Sequence, residues 1–227
     1  MKGKVLLIGN SDGIGLALTR QLLERDWSVY GISRSASSIV SPQYSHSVSS
    51  VCEPNYRTLL DKILGSEKLD LCVYCAGIGD LFNAKQMERD VVTIETNLIG
   101  LAKTAEIVIP RMCATPPGVF VGLSSMADLI RSASAPAYAA SKAGMSAYLE
   151  GLGGALRNTG VSVVNIRLGF VDTKMAKAPF KPFMMSAEQA AERILRSVLA
   201  RSPKSRVNIP RRMALIMRFL HILPKKT

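Results

Sequence analysis

The stretch "KVLLIGNSDGIG", residues Lys4–Gly15, joins a short apolar run to a turn that contains three glycines. An apolar run ended by glycine is typical of a buried strand, and "IGLALTRQLLERD" after it has the apolar spacing of a helix. Glycines between a strand and a helix allow a tight turn and a close approach of the backbone to a phosphate at the helix N-terminus. Such turns are also common in α/β proteins without that role.

Strands and helices alternate along the rest of the chain. The pattern predicts strands at 4–9, 28–33, 44–49, 69–77, 118–125, 161–169 and about 207–209, and helices at 14–26, 55–64, 84–111, 137–160 and 187–202. This alternation implies right-handed crossovers and a doubly wound parallel sheet with helices on both faces. Because no repeat or linker divides the chain, residues 1–227 are expected to form one α/β domain. Ligands of such sheets bind beyond the carboxyl ends of the strands.

Composition excludes some classes of protein. With 227 residues, 48% of them hydrophobic, the chain has material for one sizeable core. No apolar run reaches the roughly 18 residues that span a bilayer, and the first apolar run is too short for a secretory signal. We therefore expect a soluble, cytoplasmic protein. The cysteine content, only 4 residues, fits a reducing compartment.

The pair Cys72 and Cys75 has the C-x-x-C spacing of zinc and redox sites. In "LDLCVYCAG", however, both residues lie on a predicted strand. Residues three apart on a strand point to opposite faces and cannot close on one metal ion. We therefore interpret them as core cysteines, and with only two histidines in the chain we predict no metal site.

A serine, a tyrosine and a lysine recur at fixed intervals in "SSMADLIRSASAPAYAASK". Tyr138 and Lys142 are four residues apart, so they share a helix face. A phenol has a pKa near 10 and becomes an effective acid or base near neutrality only when a cation stabilises its anion. Ser125 ends the strand at 118–125, which places its hydroxyl at the carboxyl edge of the sheet. By itself a Tyr-x-x-x-Lys pair also occurs as an ordinary exposed pair worth a few tenths of a kcal/mol.

Taken in chain order, these motifs resemble the short-chain dehydrogenase/reductase family from Lys4 to about Thr173. The family's T-G-x-x-x-G-[IL]-G motif is matched at Gly9, Gly13, Ile14 and Gly15, with Ile8 in place of the threonine. Its N-N-A-G motif is matched only at Ala76 and Gly77, because Tyr74 and Cys75 replace the asparagines. Its proline-glycine motif is represented by Leu168, Gly169, Val171 and Thr173, without the proline.

The resemblance implies a Rossmann-type sheet with strand order 3-2-1-4-5-6-7 and hydride transfer between a carbonyl and an alcohol. It implies a catalytic set of Asn97, Ser125, Tyr138 and Lys142. In this set Tyr138 is the general acid or base, Ser125 holds the carbonyl oxygen, Lys142 lowers the Tyr138 pKa and holds the nicotinamide ribose, and Asn97 positions a water. The implied cofactor contacts are Gly9, Ser11, Gly13, Ile14, Gly15, Ser33, Arg34, Ala76, Gly77, Tyr138, Lys142, Gly169, Val171 and Thr173. Family members usually form homo-oligomers through the helices predicted at 84–111 and 138–157.

The end of the second predicted strand favours NADP(H) over NAD(H). Ser33 stands where an acidic residue would bind the adenosine ribose, and Arg34 supplies a cation for a 2′-phosphate. A solvated arginine is the alternative interpretation, and Asp12 in the glycine turn would oppose a nearby phosphate.

Two further segments bear on partners. Residues 174–186, rich in phenylalanine and methionine, occupy the position of the family's substrate lid and suggest an apolar or bulky substrate, although they also suit plain packing. From Arg201 onward there are eight Lys/Arg and no acid, and residues 211–223 have the pattern of a basic amphipathic helix. We expect it to pack on the body or on a sister subunit, with peripheral contact to an anionic membrane as the alternative.

The predicted function is therefore an NADP(H)-dependent oxidoreductase acting on a small carbonyl or alcohol. A catalytically silent NADP-binding sensor or scaffold is the alternative. Nucleic-acid binding through the basic tail is unfavoured, because no aromatic-interleaved basic patch or recognition motif accompanies the charge.

Overall fold

A computed structural model of the protein describes residues 2–175 and 182–213. Its strands form one parallel seven-stranded sheet in the order β3-β2-β1-β4-β5-β6-β7. The strands are β1 (Gly3–Ile8), β2 (Trp27–Ser33), β3 (Tyr44–Val48), β4 (Leu71–Tyr74), β5 (Gly118–Ser125), β6 (Val161–Leu168) and β7 (Arg206–Ile209). This order confirms the predicted fold class.

Helices cover both faces of the sheet. They are α1 (Gly13–Leu23), α2 (Tyr56–Leu64), α3 (Glu88–Ile94), α4 (Gly100–Ala114), α5 (Pro136–Ala155) and α6 (Ala187–Val198). The stretch predicted as one helix over 84–111 starts later and contains a π-helical turn, Glu95–Ile99, between α3 and α4. A 3₁₀ turn, Met126–Leu129, follows β5.

Two hydrophobic clusters hold these layers together. One packs α1 and α6 against the face of the sheet that carries Val5 and Leu7, and the other packs α2, α4 and α5 against the face that carries Leu6 and Ile8. Cys72 lies in the second cluster and Cys75 packs against the first, because alternate strand residues face opposite ways. Within the described part of the chain, no helix is long and apolar enough to cross a bilayer.

Two predicted segments lie partly outside the described residues. Of the predicted lid at 174–186, residues 176–181 are not described. The described residues on either side of them are joined by backbone hydrogen bonds. Val171 and Met185 form a parallel bridge, and the Asp172 N–H donates to the Met185 carbonyl at 2.9 Å. Of the predicted basic helix at 211–223, residues 214–223 lie outside the described ranges, so its contacts stay a prediction.

Replacement of Gly9 by alanine is expected to destabilise the fold. Gly9 has a φ of +85°, and a Cβ there would lie 2.6 Å from the backbone of Ala76. Backbone strain of this kind alone costs roughly 1–3 kcal/mol of unfolding free energy. Gly151→Ala is the matched control, because a Cβ at this position of α5 meets nothing within 4 Å. This substitution should raise the unfolding free energy by roughly 0.5–1 kcal/mol. Urea denaturation measures both changes, and equal effects would contradict the assignment.

Candidate active site

Three constraints shape the glycine turn. The Gly9 N–H donates to the Ile32 carbonyl at 2.7 Å, and the Asp12 carboxylate caps α1 by accepting from the Gly13 N–H at 2.7 Å. A Cβ at Gly15 would overlap the Gly9 carbonyl, so the start of α1 lies directly against the end of β1. The turn therefore presents backbone at a helix N-terminus, the arrangement that accepts a phosphate.

The other predicted cofactor residues of the turn have different surroundings. Ser11 is partly exposed, whereas Ile14 packs against the hydrophobic cluster under α1 and α6. The loop after β6 meets the turn, since a Cβ at Gly13 would lie 3.1 Å from Thr173 Cγ2. Gly169 is held by its N–H bond to the Ile209 carbonyl at 2.8 Å. The glycine turn and the predicted proline-glycine motif thus lie side by side at the carboxyl edge of the sheet.

An ion pair joins these two segments across a groove of about 380 Å³. The Lys174 ammonium lies 2.6 Å from an Asp12 carboxylate oxygen. Lys174, and next the Gly13 N–H, lower the pKa of Asp12 below its ordinary value. The negative charge that would oppose a phosphate therefore has a cation beside it.

The loop after β4 brings predicted cofactor and catalytic residues together. Ala76 lies against Gly9, and a Cβ at Gly77 would lie 3.4 Å from Asn97 Oδ1 and 3.5 Å from Lys142 Nζ. A Cβ at Gly79 would lie 2.8 Å from the ring of Tyr138. Gly77 thus lies in contact range of Asn97 and Lys142, and glycine at 79 lets the loop approach the tyrosine.

Ser125, Tyr138 and Lys142 meet at the carboxyl edge of the sheet. Ser125 ends β5. Its hydroxyl donates to the Leu168 carbonyl at 3.4 Å, accepts from the Ala127 N–H at 3.1 Å, and lies near enough to the Tyr138 hydroxyl to lower the pKa of that phenol. Lys142 Nζ lies 5.8 Å from the centroid of the Tyr138 ring. Pro136 at the start of α5 suits the first helical turn, where its missing N–H has no cost. The structure therefore assembles the three side chains that the sequence spacing indicated.

The pKa of Tyr138 lies above its ordinary value, because burial raises it more than the nearby Ser125 hydroxyl lowers it. This differs from the expectation that Lys142 would bring it down. The Lys142 ammonium donates instead to the Leu123 carbonyl at 2.8 Å and to Met145 Sδ at 3.5 Å. Tyr138 therefore carries its proton at neutral pH.

Lys142 is the most strongly perturbed cation of this site. Its residue is only 5% exposed, and burial lowers its pKa to about 8, with Cys75 acting weakly in the opposite direction. Its short oxygen acceptor is a backbone carbonyl rather than a carboxylate. Titratable groups perturbed by desolvation in a cleft are frequent at functional sites.

Asn97 is fully buried, and its side chain braces the loop after β4. Its Oδ1 accepts from the Ile78 N–H at 2.8 Å, and its Nδ2 donates to the Ile78 carbonyl and to Ser141 Oγ, each at 2.9 Å. The amide thereby joins this loop to α5. Its predicted role in positioning a water stays a prediction.

The turn after β2 carries the predicted 2′-phosphate residues. Ser33 is buried and donates to the Ser35 carbonyl at 2.9 Å, whereas Arg34 is exposed. His46 Nε2 lies 3.1 Å from the same carbonyl and 3.3 Å from Ser33 Oγ. Sequence reasoning missed His46 as a residue of this turn, because only the pairing of β3 with β2, with His46 opposite Gly31, brings it there.

A buried ion pair behind Ser125 was also missed. Asp128, in the 3₁₀ turn after Ser125, binds Arg167 of β6 and accepts from Ser146 Oγ of α5 at 2.6 Å. Both charged side chains are under 10% exposed. Removal of one partner of such a pair leaves an uncompensated charge. The pair therefore fixes the segment after Ser125 to the helix that carries Tyr138 and Lys142.

The sheet order and the glycine turn define a Rossmann-type protein, and comparison with known proteins identifies its family. The short chain dehydrogenase model matches residues 3–182. An "uncharacterized oxidoreductase" of Myxococcus xanthus is 37% identical over 161 residues, which cover 69% of this chain and 62% of that protein. A 3-oxoacyl-[acyl-carrier-protein] reductase of Vibrio cholerae is 27% identical over 97% of this chain and 90% of its own length. The chain belongs to the short-chain dehydrogenase family of oxidoreductases.

Solved structures have the same fold. A short-chain dehydrogenase from Streptomyces avermitilis superposes with a TM-score of 0.84 at 17% identity, covering 98% of this chain and 93% of that one. A short chain dehydrogenase from Burkholderia cenocepacia, solved in complex with NADP, has a TM-score of 0.81 at 20% identity, covering 96% and 91%.

Replacement of Lys142 by methionine is expected to stabilise the fold at pH 7. Below pH 8 the lysine is charged in both states, and only the folded state bears the desolvation cost. Between pH 8 and 10.5 the unfolded state keeps the proton that the folded state has lost, so the stability of the unchanged protein rises with pH. The advantage of Lys142→Met, on the order of 1–3 kcal/mol at pH 7, should therefore shrink across this window.

Urea denaturation from pH 6.5 to 10 measures this difference. Lys62→Met, on the exposed side of α2, is the control and should stay within about 0.5 kcal/mol at every pH. A Lys142→Met protein that is less stable at pH 7, or whose advantage does not change with pH, would show that the burial cost is absent.

Proposed function

We propose that this protein reduces a carbonyl compound to an alcohol with NADPH. The observation that carries the proposal is the convergence of Ser125, a protonated Tyr138 and a buried Lys142 at the edge where the glycine turn lies. A phenol that keeps its proton at neutral pH suits donation to a carbonyl oxygen, which is why reduction is proposed as the main direction.

The chain's own residues account for the proton chemistry. A nicotinamide dinucleotide, when bound, supplies the hydride to the carbonyl carbon. Tyr138 donates its proton to the carbonyl oxygen, and the Ser125 hydroxyl donates a hydrogen bond to that oxygen as negative charge develops on it. Lys142, charged below pH 8, stabilises the tyrosinate that remains. Proton exchange with solvent restores Tyr138.

The residues present fit a dinucleotide. The turn at Gly9 and Gly13 brings backbone to the start of α1, where Asp12 is paired with Lys174, and Gly77 places backbone rather than a side chain beside Lys142. No acid stands at Ser33, and Arg34 projects from a turn that His46 braces. These features favour NADP(H) over NAD(H). The NADP complex of the Burkholderia cenocepacia protein supports this choice.

The substrate is proposed to be apolar or bulky. Segments that follow β4, β5 and β6 reach the same edge of the sheet, and each exposes large apolar side chains. These are Leu81, Phe82, Ile130, Met175, Phe183 and Met184. The name of the Vibrio cholerae relative, a 3-oxoacyl reductase, supports an acyl-type carbonyl among the candidates.

Two proposals concern alternatives and partners. A silent sensor or scaffold has no use for a buried, weakly basic lysine beside a tyrosine. Because the desolvation of Lys142 lowers the stability of the fold, the enzyme is favoured.

A homo-oligomer is proposed from the apolar side chains that α3 and the following turn expose, namely Val91, Val92, Ile94 and Ile99.

Tyr138→Phe is expected to lower kcat for carbonyl reduction by about 10²–10⁴-fold, because the proton donor is removed. NADPH binding, followed by its fluorescence, should change by less than about threefold. Tyr148→Phe is the matched control, since Tyr148 lies on the exposed side of the same helix, and it should keep the original rate. A Tyr138→Phe enzyme of unchanged rate would refute the assignment.

A carbonyl library provides the substrate for this measurement. NADPH and NADH oxidation are followed against ketones and aldehydes of increasing apolar size. Turnover with NADPH supports the enzyme, and NADPH binding without turnover of any compound would favour the sensor.

Arg34→Ala is expected to lower kcat/KM for NADPH by about 10–100-fold, the value of a charge-assisted hydrogen bond to phosphate. The value for NADH should stay within about twofold, because NADH lacks the 2′-phosphate. The ratio of the two kcat/KM values is the readout. Equal losses with both cofactors would show that Arg34 acts on the fold of the turn and not on the phosphate.

A further inference from the structure

Tyr74 is a fully buried polar residue for which the proposed chemistry has no direct use. It ends β4 at 0% exposure, and its hydroxyl donates to the main-chain carbonyl of Thr96. Burial raises the pKa of Tyr74 well above its ordinary value, so the hydroxyl remains a donor at neutral pH. The acceptor lies inside a helix, where carbonyls normally bind an N–H of their own helix.

The hydrogen bond from Tyr74 coincides with the π-helical turn at Glu95–Ile99. In an α-helix the Gly100 N–H would donate to the Thr96 carbonyl, four residues earlier. Here the Gly100 N–H donates to the Glu95 carbonyl instead, and the Tyr74 hydroxyl donates to the Thr96 carbonyl. The Tyr74 hydroxyl thus takes the place of the Gly100 N–H as donor to Thr96. Turns of this type occur frequently at functional sites.

Gly100 makes room for this contact. A Cβ at Gly100 would overlap the Tyr74 hydroxyl and would lie 2.7 Å from Val51 Cγ2. The Tyr74 hydroxyl therefore contacts the helix backbone directly at the start of α4.

Asn97 lies in the middle of the same π-helical turn. Its side chain binds Ile78 and Ser141, and its Oδ1 would lie 3.4 Å from a Cβ at Gly77, the residue that also adjoins Lys142. One residue of an α-helix corresponds to about 100° of rotation. A return to α-helical bonding would therefore rotate Asn97 relative to the loop that it braces.

We propose that Tyr74 is a positioning residue whose hydroxyl holds the π-helical turn and thereby presents Asn97 to the loop at Gly77–Ile78 beside Lys142. The proposal rests on the proposed function, because it assigns Asn97 to the catalytic set. It also gives Tyr74 a role of its own at the position where the resembled motif has an asparagine.

Tyr74→Phe tests the proposal, because it removes the hydroxyl and keeps the ring in the core. We expect kcat for carbonyl reduction to fall at least tenfold, with the KM values for NADPH and carbonyl changed less than threefold. Tyr56→Phe is the matched control. Tyr56 is equally buried and shares a 2.7 Å hydrogen bond with the Thr104 hydroxyl, so its replacement removes no bond to a carbonyl within Glu95–Ile99; Thr104 has its own 2.7 Å bond to the Gly100 carbonyl. Tyr56→Phe should lower the unfolding midpoint similarly without changing kcat.

A double-mutant cycle separates positioning from general loss of stability. If Tyr74 acts through Asn97, Asn97→Ala should lower kcat much less in the Tyr74→Phe protein than in the original one. A full additional loss in the double variant, or an unchanged kcat in Tyr74→Phe, would overturn the proposal.

Amide hydrogen exchange keeps the test independent of turnover. Tyr74→Phe should raise exchange in segments 94–101 and 77–80, and Tyr56→Phe should not. If the original protein reduces no carbonyl, the proposed function fails, but this exchange pattern would still support the coupling of Tyr74 to the Asn97 loop. Unchanged exchange in both segments of Tyr74→Phe would overturn that coupling whatever the activity.

Discussion

The burial of the Lys142 ammonium is the constraint on which the site depends. A cation removed from water needs compensation, and here the Leu123 carbonyl and Met145 sulfur provide it without a carboxylate. Lys142 therefore keeps a pKa of about 8 and remains charged at neutral pH beside Tyr138. A carboxylate partner would hold the proton more firmly but would add negative charge where, in the proposed reaction, a tyrosinate forms. The arrangement lowers stability in exchange for a positive field at the phenol.

Side-chain interactions beyond Ser125, Tyr138 and Lys142 hold this geometry. The Asp128–Arg167 pair fixes the segment after Ser125 to α5 through Ser146. Asn97 fixes the loop after β4 to α5 through Ser141. Both connections end on the helix that carries Tyr138 and Lys142. The distances among Ser125, Tyr138 and Lys142 therefore depend on the loop after β4, the segment after β5 and α5. These lie far apart in the chain, and a change in any of them alters the site.

This member of the short-chain dehydrogenase family departs from the motifs that it resembles, and the structure shows what replaces them. Tyr74 stands where an asparagine is expected, and its hydroxyl still forms a side-chain bond at this edge, to the Thr96 carbonyl. Cys75 packs against the core and contributes no short polar contact of comparable strength. Asp12 in the glycine turn is paired with Lys174. The departures thus change individual side-chain bonds at the carboxyl edge of the sheet without changing the order of its strands.

The sequence alone determined the sheet, the glycine turn and the spacing of Tyr138 and Lys142, because strand alternation, helical periodicity and glycine positions are local patterns. It also indicated Ser125, which ends a strand. Only the tertiary structure decided the π-helical turn at Asn97, the contact of His46 with the Arg34 turn and the Asp128–Arg167 pair, since each joins residues on different elements. It also reversed the expected pKa shift of Tyr138. Spacing places a cation near the phenol, but burial, which no local pattern reports, raises the pKa of Tyr138 more than Ser125 lowers it.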